Sequence, residues 1–229
     1  MISSMVMAPS DEAPGGAVPS VASNPPGAPL DDATDAAAVG STNAASTARR
    51  DALRGTALKR FNRGVRRAAR DGGREVVLVL ENINYPVNVG SLFRIADGCG
   101  ARVVLAGTTP DPTTPSAAKV ARGHHVHLGW TRTDDVVATL RDLAHGGWWV
   151  AAIELAADSV PYHAVAYPPK VALVLGNEDH GVTRRALGAC HAALFVPMLG
   201  RGASLNVHVA AAIVAYRALF PSEASSPST

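Results

Sequence analysis

The chain has 229 residues, 47% of them hydrophobic, and a formal net charge of +2, enough apolar material for one α/β core with length to spare. No apolar run reaches a membrane-spanning length, and the start lacks the basic-then-apolar order of a secretory signal, so a cytoplasmic protein that spans no membrane is expected. The small net charge hides an asymmetry, because all 21 Lys and Arg residues lie beyond residue 48.

The first 48 residues are mostly Ala, Pro, Ser and Gly, with five acids (Asp11, Glu12, Asp31, Asp32, Asp35) and no cation. Such a segment buries too little apolar surface to offset the entropy of ordering it, so a disordered tail is expected over 1–46. Ten cations follow between Arg49 and Arg74, against a single acid, Asp51, up to residue 70. In the same window Leu53, Ala57, Phe61, Val65 and Ala68 recur at three- and four-residue steps. This spacing predicts a helix over 47–70 with one apolar stripe on a cationic cylinder, stopped by Asp71-Gly72-Gly73. The charge exceeds what solubility needs and points to a polyanion partner, with Arg60, Arg63, Arg66 and Arg67 as candidate contacts.

From Glu75 onward strands and helices alternate. The continuous apolar runs Val76–Leu80 and Val171–Leu175 read as strands buried on both faces. Between them come a helix near Val89–Cys99, a strand Arg102–Ala106, a short helix Ser116–Arg122 and a short strand Val126–Trp130. A helix Thr133–His145 follows, with Thr133 as its cap and Asp134 and Asp135 in its first turn, then a strand Trp148–Ile153. The stretch 156–169 reads as loop with one short edge element. A short helix Arg184–Leu187, a strand Leu194–Met198 and a long helix Leu205–Phe220 complete the series. The alternation predicts a mainly parallel sheet with helices on both faces. It sets a basic helical segment over 47–74 apart from a domain over 75–221 and a tail over 222–229. Cys99 and Cys190 read as small reduced core residues. His124, His125 and His127 lack Cys partners or a second His pair at ligand spacing, so no metal site is expected.

Two strand ends run into Asn, Gly and Glu, Leu80 to Asp97 and Val171 to Gly181, and a third, Val196 to Leu219, runs through a Gly-rich loop into Ser204-Leu205-Asn206. Strand, Gly-rich loop and helix start make a small-molecule pocket, because the first turn of a helix leaves backbone N–H groups unpaired. A dinucleotide-type Rossmann site needs several glycines straight after the first strand. Here that stretch, Glu81 to Gly90, carries one glycine, and the others cluster at Gly176, Gly181, Gly200 and Gly202. The pocket is therefore expected at the later strand ends.

Asn88-Val89-Gly90-Ser91-Leu92-Phe93-Arg94-Ile95-Ala96-Asp97 resembles the first motif of the SpoU/TrmH group of SPOUT RNA methyltransferases. Leu175 to Gly181 resembles the second, and Val196-Pro197-Met198 through Ser204-Leu205-Asn206-Val207 the third. The resemblance implies a SPOUT α/β fold with a C-terminal trefoil knot, a homodimer, S-adenosylmethionine as donor, and 2′-O-methylation of a ribose in tRNA or rRNA. It implies catalytic-site roles for Asn88, Arg94, Glu178, Ser204 and Asn206. It also implies a donor pocket formed by backbone of Leu175, Gly176, Val196 and Met198, with Asn177 and Ser204 beside it and Leu205 beneath the adenine. In the family the residue matching Arg94 is a proposed activator of the 2′-hydroxyl. Guanidinium is almost always protonated, so Arg94 is read here as binding RNA phosphate and placing the hydroxyl. Where the commonest third motif has Ser, this chain has His208, which resembles eukaryotic enzymes that methylate guanosine in the tRNA D-loop. Lys119, Arg122 and Arg201 complete the expected RNA contacts. A catalytically silent RNA-binding or assembly factor on the same scaffold, or an rRNA methyltransferase conferring antibiotic resistance, are the alternatives.

Overall fold

The computed structural model describes residues 52–202 and 204–220. The expected tails over 1–46 and 222–229, and the first residues of the basic helix, lie outside these. Helix α1 spans Gly55–Asp71, and every side chain described in it is exposed. Its apolar stripe is not buried on the core: Phe61 is 57% and Val65 45% exposed. Arg74, counted by sequence among the cations of this window, is structural instead. Its Nη1 donates to the carbonyls of Tyr167 (3.2 Å), Pro168 (3.2 Å) and Ala218 (3.0 Å), tying the chain before the first strand to the end of the last helix.

The domain runs β1 (Glu75–Glu81), α2 (Pro86–Cys99), β2 (Arg102–Ala106), α3 (Pro115–Ala121), α4 (His124–His127), β3 (Trp130–Thr133), α5 (Val136–His145), β4 (Trp149–Ile153), β5 (Val160–Pro161), a 3₁₀ turn (Tyr162–Ala164), β6 (Lys170–Leu175), α6 (Arg184–Leu187), β7 (Ala192–Phe195) and α7 (Val207–Leu219). The strands form one seven-stranded sheet, β3-β2-β1-β6-β4-β7-β5, in which every pairing is parallel. The two most apolar runs lie side by side at its centre, Val76 opposite Val171 through Leu80 opposite Leu175. Alternate side chains feed two cores, as the period of a strand requires. Val76, Leu78 and Leu80 join Leu92, Phe93 and Val214 beneath α2 and α7, while Val77 and Val79 join Leu140, Val174 and Ala186 beneath α5 and α6.

Several boundaries differ from the sequence reading for local reasons. The expected strand Val126–Trp130 is instead the turn of helix α4 followed by β3. Arg122 (φ +48°) and Gly123 (φ +82°) turn the chain after α3 and start a new helical turn at His124. Helix α5 begins after Asp135, whose carboxylate accepts from Ala138 N (3.0 Å), so Thr133 and both aspartates precede the helix. Strand β7 stops at Phe195, one residue ahead of Val196-Pro197, because proline offers no N–H to a ladder. Helix α2 starts early, with Pro86 in its first turn, which puts Asn88 inside that turn rather than at the strand–helix junction.

Candidate active site

The carboxyl ends of β1, β4, β6 and β7 lie together at the middle of the sheet, and their loops enclose a cavity of about 790 Å³. Open parallel sheets hold ligands in this position, outside the strand ends where successive connections diverge. One wall is apolar, from Ile153, Leu175, Leu194, Val196, Leu205 and Ala210. The rest of the lining includes polar residues, among them Tyr85, Asn88, Asn177, Glu178, Ser204 and Asn206. Gly176 is buried where the chain crosses itself, and a Cβ there would run into the Gly181–Val182 backbone, so only glycine permits the crossing. The loop it opens is stitched by Asn177. Its backbone exchanges bonds with Gly181 (3.1 and 2.8 Å), its Oδ1 accepts from Asp179 N and His180 N, and its Nδ2 donates to Asn82 O.

Four polar side chains, from the first turn of α2, the loop after β6 and the start of α7, then meet in one network. Helix α2 has no side-chain cap of its own. The carboxylate of Glu178 takes that part from across the cavity, accepting from Asn84 N (2.8 Å), Tyr85 N (3.3 Å) and Asn88 Nδ2 (2.6 Å). A negative group suits the positive end of a helix. Asn88, only 5% exposed, turns its Oδ1 toward α7, where Asn206 Nδ2 (3.3 Å) and His208 Nδ1 (3.2 Å) reach it. Asn206 in turn caps α7, its Oδ1 accepting from His208 N at 3.1 Å. The sequence motifs after β1, after β6 and before α7 are thus joined side chain to side chain at the mouth of an apolar pocket.

Known proteins share this arrangement of strands and loops. The model of the SpoU rRNA Methylase family matches residues 75–216, well over half of the chain and all seven strands. The chain belongs to the SpoU rRNA methylase family. A protein named as a TrmH family tRNA/rRNA methyltransferase, from Staphylococcus aureus (strain MSSA476), is 30% identical over 157 residues, which cover 68% of this chain and 63% of that one. The 23S rRNA (guanosine-2′-O-)-methyltransferase RlmB of Ralstonia nicotianae is 32% identical over 148 residues, 64% of this chain and 59% of that protein. An AdoMet-bound rRNA methyltransferase from Sinorhizobium meliloti superposes with a TM-score of 0.57 at 28% identity, over 63% of this chain and 55% of that one. The matched region spans less than two thirds of the length of these relatives.

Within the SpoU domain the expected site residues separate into two sets. Asn88, Leu175, Gly176, Asn177, Glu178, Val196, Met198, Ser204, Leu205 and Asn206 all line the cavity. Arg94 does not. It stands exposed on α2 with no hydrogen bond or ion pair among the described residues, and Asp97, a potential partner one turn on, bonds instead to His124 Nδ1 at 2.8 Å. Lys119 is exposed on α3, Arg122 is exposed just after α3, and Arg201 is exposed in the loop before α7. The sequence reading missed Glu154, whose carboxylate lines the cavity and accepts from Val182 N (2.8 Å) and Leu155 N (3.2 Å). It also missed the buried Glu81, which accepts from Thr183 N (3.0 Å) and Thr183 Oγ1 (2.6 Å) at the start of α6. An acid directly after an apolar strand run was the available signal for both. Burial pushes the thiols of Cys99 and Cys190 up to about 11 and about 12, which keeps them protonated and unreactive at neutral pH.

Proposed function

We propose that this SpoU protein transfers methyl groups from S-adenosylmethionine to the 2′-hydroxyl of a ribose in tRNA or rRNA, in the cytoplasm. The observation that carries the reading is the Glu178–Asn88–Asn206 network at the mouth of the cavity. The pocket suits the donor on its own features. Its apolar wall can take an adenine face. From residue 196 to 202 the backbone makes no hydrogen bond among the described residues, leaving main-chain edges for the rim of the base. Bound S-adenosylmethionine supplies an electrophilic methyl on a sulfonium centre. The relatives named above as RNA methyltransferases, one of them AdoMet-bound, support the same donor and acceptor classes.

On this reading the chain's residues act by placement, which can supply much of the acceleration of an in-line transfer. Glu178 holds Asn88, and Asn88 and Asn206 present their amides to the ribose. Ser204 and Leu205 shape the donor side. Arg94 holds an RNA phosphate. Because Arg94 stands outside the cavity of its own protomer, the reading includes a homodimer in which it faces the cavity of a second copy. The surface supports this. Val87, Arg94 and Gly98 follow one another along one side of α2, and α7 packs beside it with Val209 (38% exposed), Tyr216 (44%) and Phe220 (56%) uncovered. Exposed apolar side chains grouped on two packed helices mark an interaction surface. The return of α7 onto α2, β1 and β6 is compatible with the C-terminal knot of the SPOUT fold. Cations on α1, with Lys119, Arg122 and Arg201, are read as the RNA-binding groups.

The reading is tested by transfer of radiolabelled methyl from S-adenosylmethionine to tRNA and, separately, to rRNA, with nuclease mapping. Label in a nuclease-resistant, ribose-methylated dinucleotide is expected; donor binding with no label in either pool would favour the silent scaffold. Mixed dimers test the shared site. Neither Asn88→Ala nor Arg94→Ala homodimers should transfer methyl, whereas the mixture should regain roughly a quarter to a half of the parent rate as mixed dimers assemble one intact site. No recovery would mean that Arg94 serves the cavity of its own protomer.

A further inference from the structure

Helix α2 opens on a residue that serves it poorly. Tyr85 is its N-cap, with extended dihedrals (φ −95°, ψ 118°), and provides no side-chain cap, where Ser, Thr, Asp or Asn would accept a hydrogen bond from the first turn. Both main-chain groups of Tyr85 are committed. Its N–H donates to Glu178 Oε1 (3.3 Å), and its carbonyl accepts from Asn88 N (2.9 Å) and Val89 N (3.3 Å). Pro86, next in the chain, holds the residue extended. Yet Tyr85 is 49% exposed, and most of a tyrosine's surface is its ring, so the ring is what stands open. Among the described residues it stacks on no other ring, and its hydroxyl has no hydrogen-bond partner.

This open ring belongs to the cavity lining. Tyr85 comes from the connection between β1 and α2, and the Glu178 oxygen that its N–H reaches also accepts from Asn88 Nδ2 at 2.6 Å. It therefore stands beside the amide that, on the transferase reading, faces the acceptor ribose. The apolar wall suited to adenine comes instead from the ends of β4, β6 and β7 and from the start of α7. Phe195, the other phenyl ring in the lining, is half-buried at the end of β7. Tyr85 also lies off the side of α2 read as the dimer face, since it precedes Val87 by two residues, about half a turn of helix.

Resting on that reading, we propose that Tyr85 stacks on the nucleobase of the nucleotide whose ribose is methylated. A nucleobase hangs from C1′, next to the C2′ that carries the reacting hydroxyl, so a ring beside the ribose site meets that base before any other. Unpaired bases splayed from RNA loops and bulges are held in this way on aromatic side chains. The pinned main chain suits the task, because an anchored ring offers the base one plane and so fixes how the ribose is presented to the donor. Stacking accepts any base, since every base has a π-face. The substrate class that follows is a nucleotide in a single-stranded loop or bulge, chosen by its accessibility and held by its base, and not one inside a duplex.

The test uses the full chain in methyl transfer at sub-saturating RNA. The substrates are a hairpin carrying the nucleotide that nuclease mapping identifies, and the same hairpin with that one base removed and its ribose kept. On the intact hairpin Tyr85→Ala is expected to lose about 10-fold or more in rate, with donor affinity within about twofold of the parent. Tyr85→Phe, which keeps the ring, should stay within about threefold. The abasic hairpin should cost the parent a similar factor and cost Tyr85→Ala nothing further, because ring and base form one contact. A Tyr85→Ala rate within about threefold of the parent on intact RNA would overturn the proposal. So would an equal loss from Tyr85→Ala on both hairpins, which would place the partner of the ring elsewhere. If the parent transfers no methyl to tRNA or rRNA, it is the transferase reading that fails, and filter binding of the same RNAs then judges Tyr85 alone. Binding weakened about fivefold or more in Tyr85→Ala supports the stacked base, and equal binding overturns it.

Discussion

In the strand-end cavity Asn88 is held by three other side chains, whereas along α1 the cations stand on a helix whose described side chains are all exposed. Asn88 is 5% exposed and reaches three residues of two other segments, while Phe61, at the centre of the apolar stripe of α1, is 57% exposed. A buried polar group held by several side-chain partners has one geometry, which is what orienting a reacting hydroxyl needs. A cation on an exposed helix keeps its rotamers and supplies affinity without a fixed direction, which is how charge attracts a phosphate backbone. The two regions should therefore answer substitution differently.

The largest effect should come from Asn88→Ala. It strips Glu178 of its shortest hydrogen bond and leaves Asn206 and His208 without their shared acceptor. Methyl transfer should fall by about 10²-fold or more through misplacement of the acceptor, and unfolding in urea should report a loss of about 1–3 kcal/mol. Unchanged stability would mean that the network does not hold the loops together. Neutralising Arg60, Arg63, Arg66 and Arg67 together should do the opposite. Stability should shift by no more than about 0.5 kcal/mol for each exposed change, while the slope of log RNA affinity against log salt should flatten by about 3. An unaltered slope would move the RNA surface to another part of the molecule. The smallest effect should follow deletion of residues 1–46, with methyl transfer within about twofold of the full chain. A large loss would tie that segment to the function of α1.

The central strands were legible because both faces of a parallel sheet are buried, so β1 and β6 read as unbroken apolar runs. Helix starts were less so. Thr133 and Asp135 are both good caps, and the choice of Asp135 depended on where β3 ended against β2. Among the site residues, those that follow a strand were found because strand ends converge in any parallel sheet. Glu154 follows a strand too, yet its use is set by Val182, a neighbour 28 residues away. His208 was visible only as a departure from a motif, since nothing local to α7 reveals that Asn88 Oδ1 lies beside it.

Composition and pattern alone therefore determined an α/β domain, three segments that share a site, and a cationic helix ahead of the domain in the chain, because burial period and charge are properties of short segments. Tertiary structure decided which polar atoms meet. It set Arg94 outside the cavity, turned Asn88 between Glu178 and His208, and left the apolar stripe of α1 uncovered. The reason is physical. A hydrogen bond between residues 90 or 120 positions apart depends on the order of strands in the sheet, and no segment of the chain encodes that order by itself.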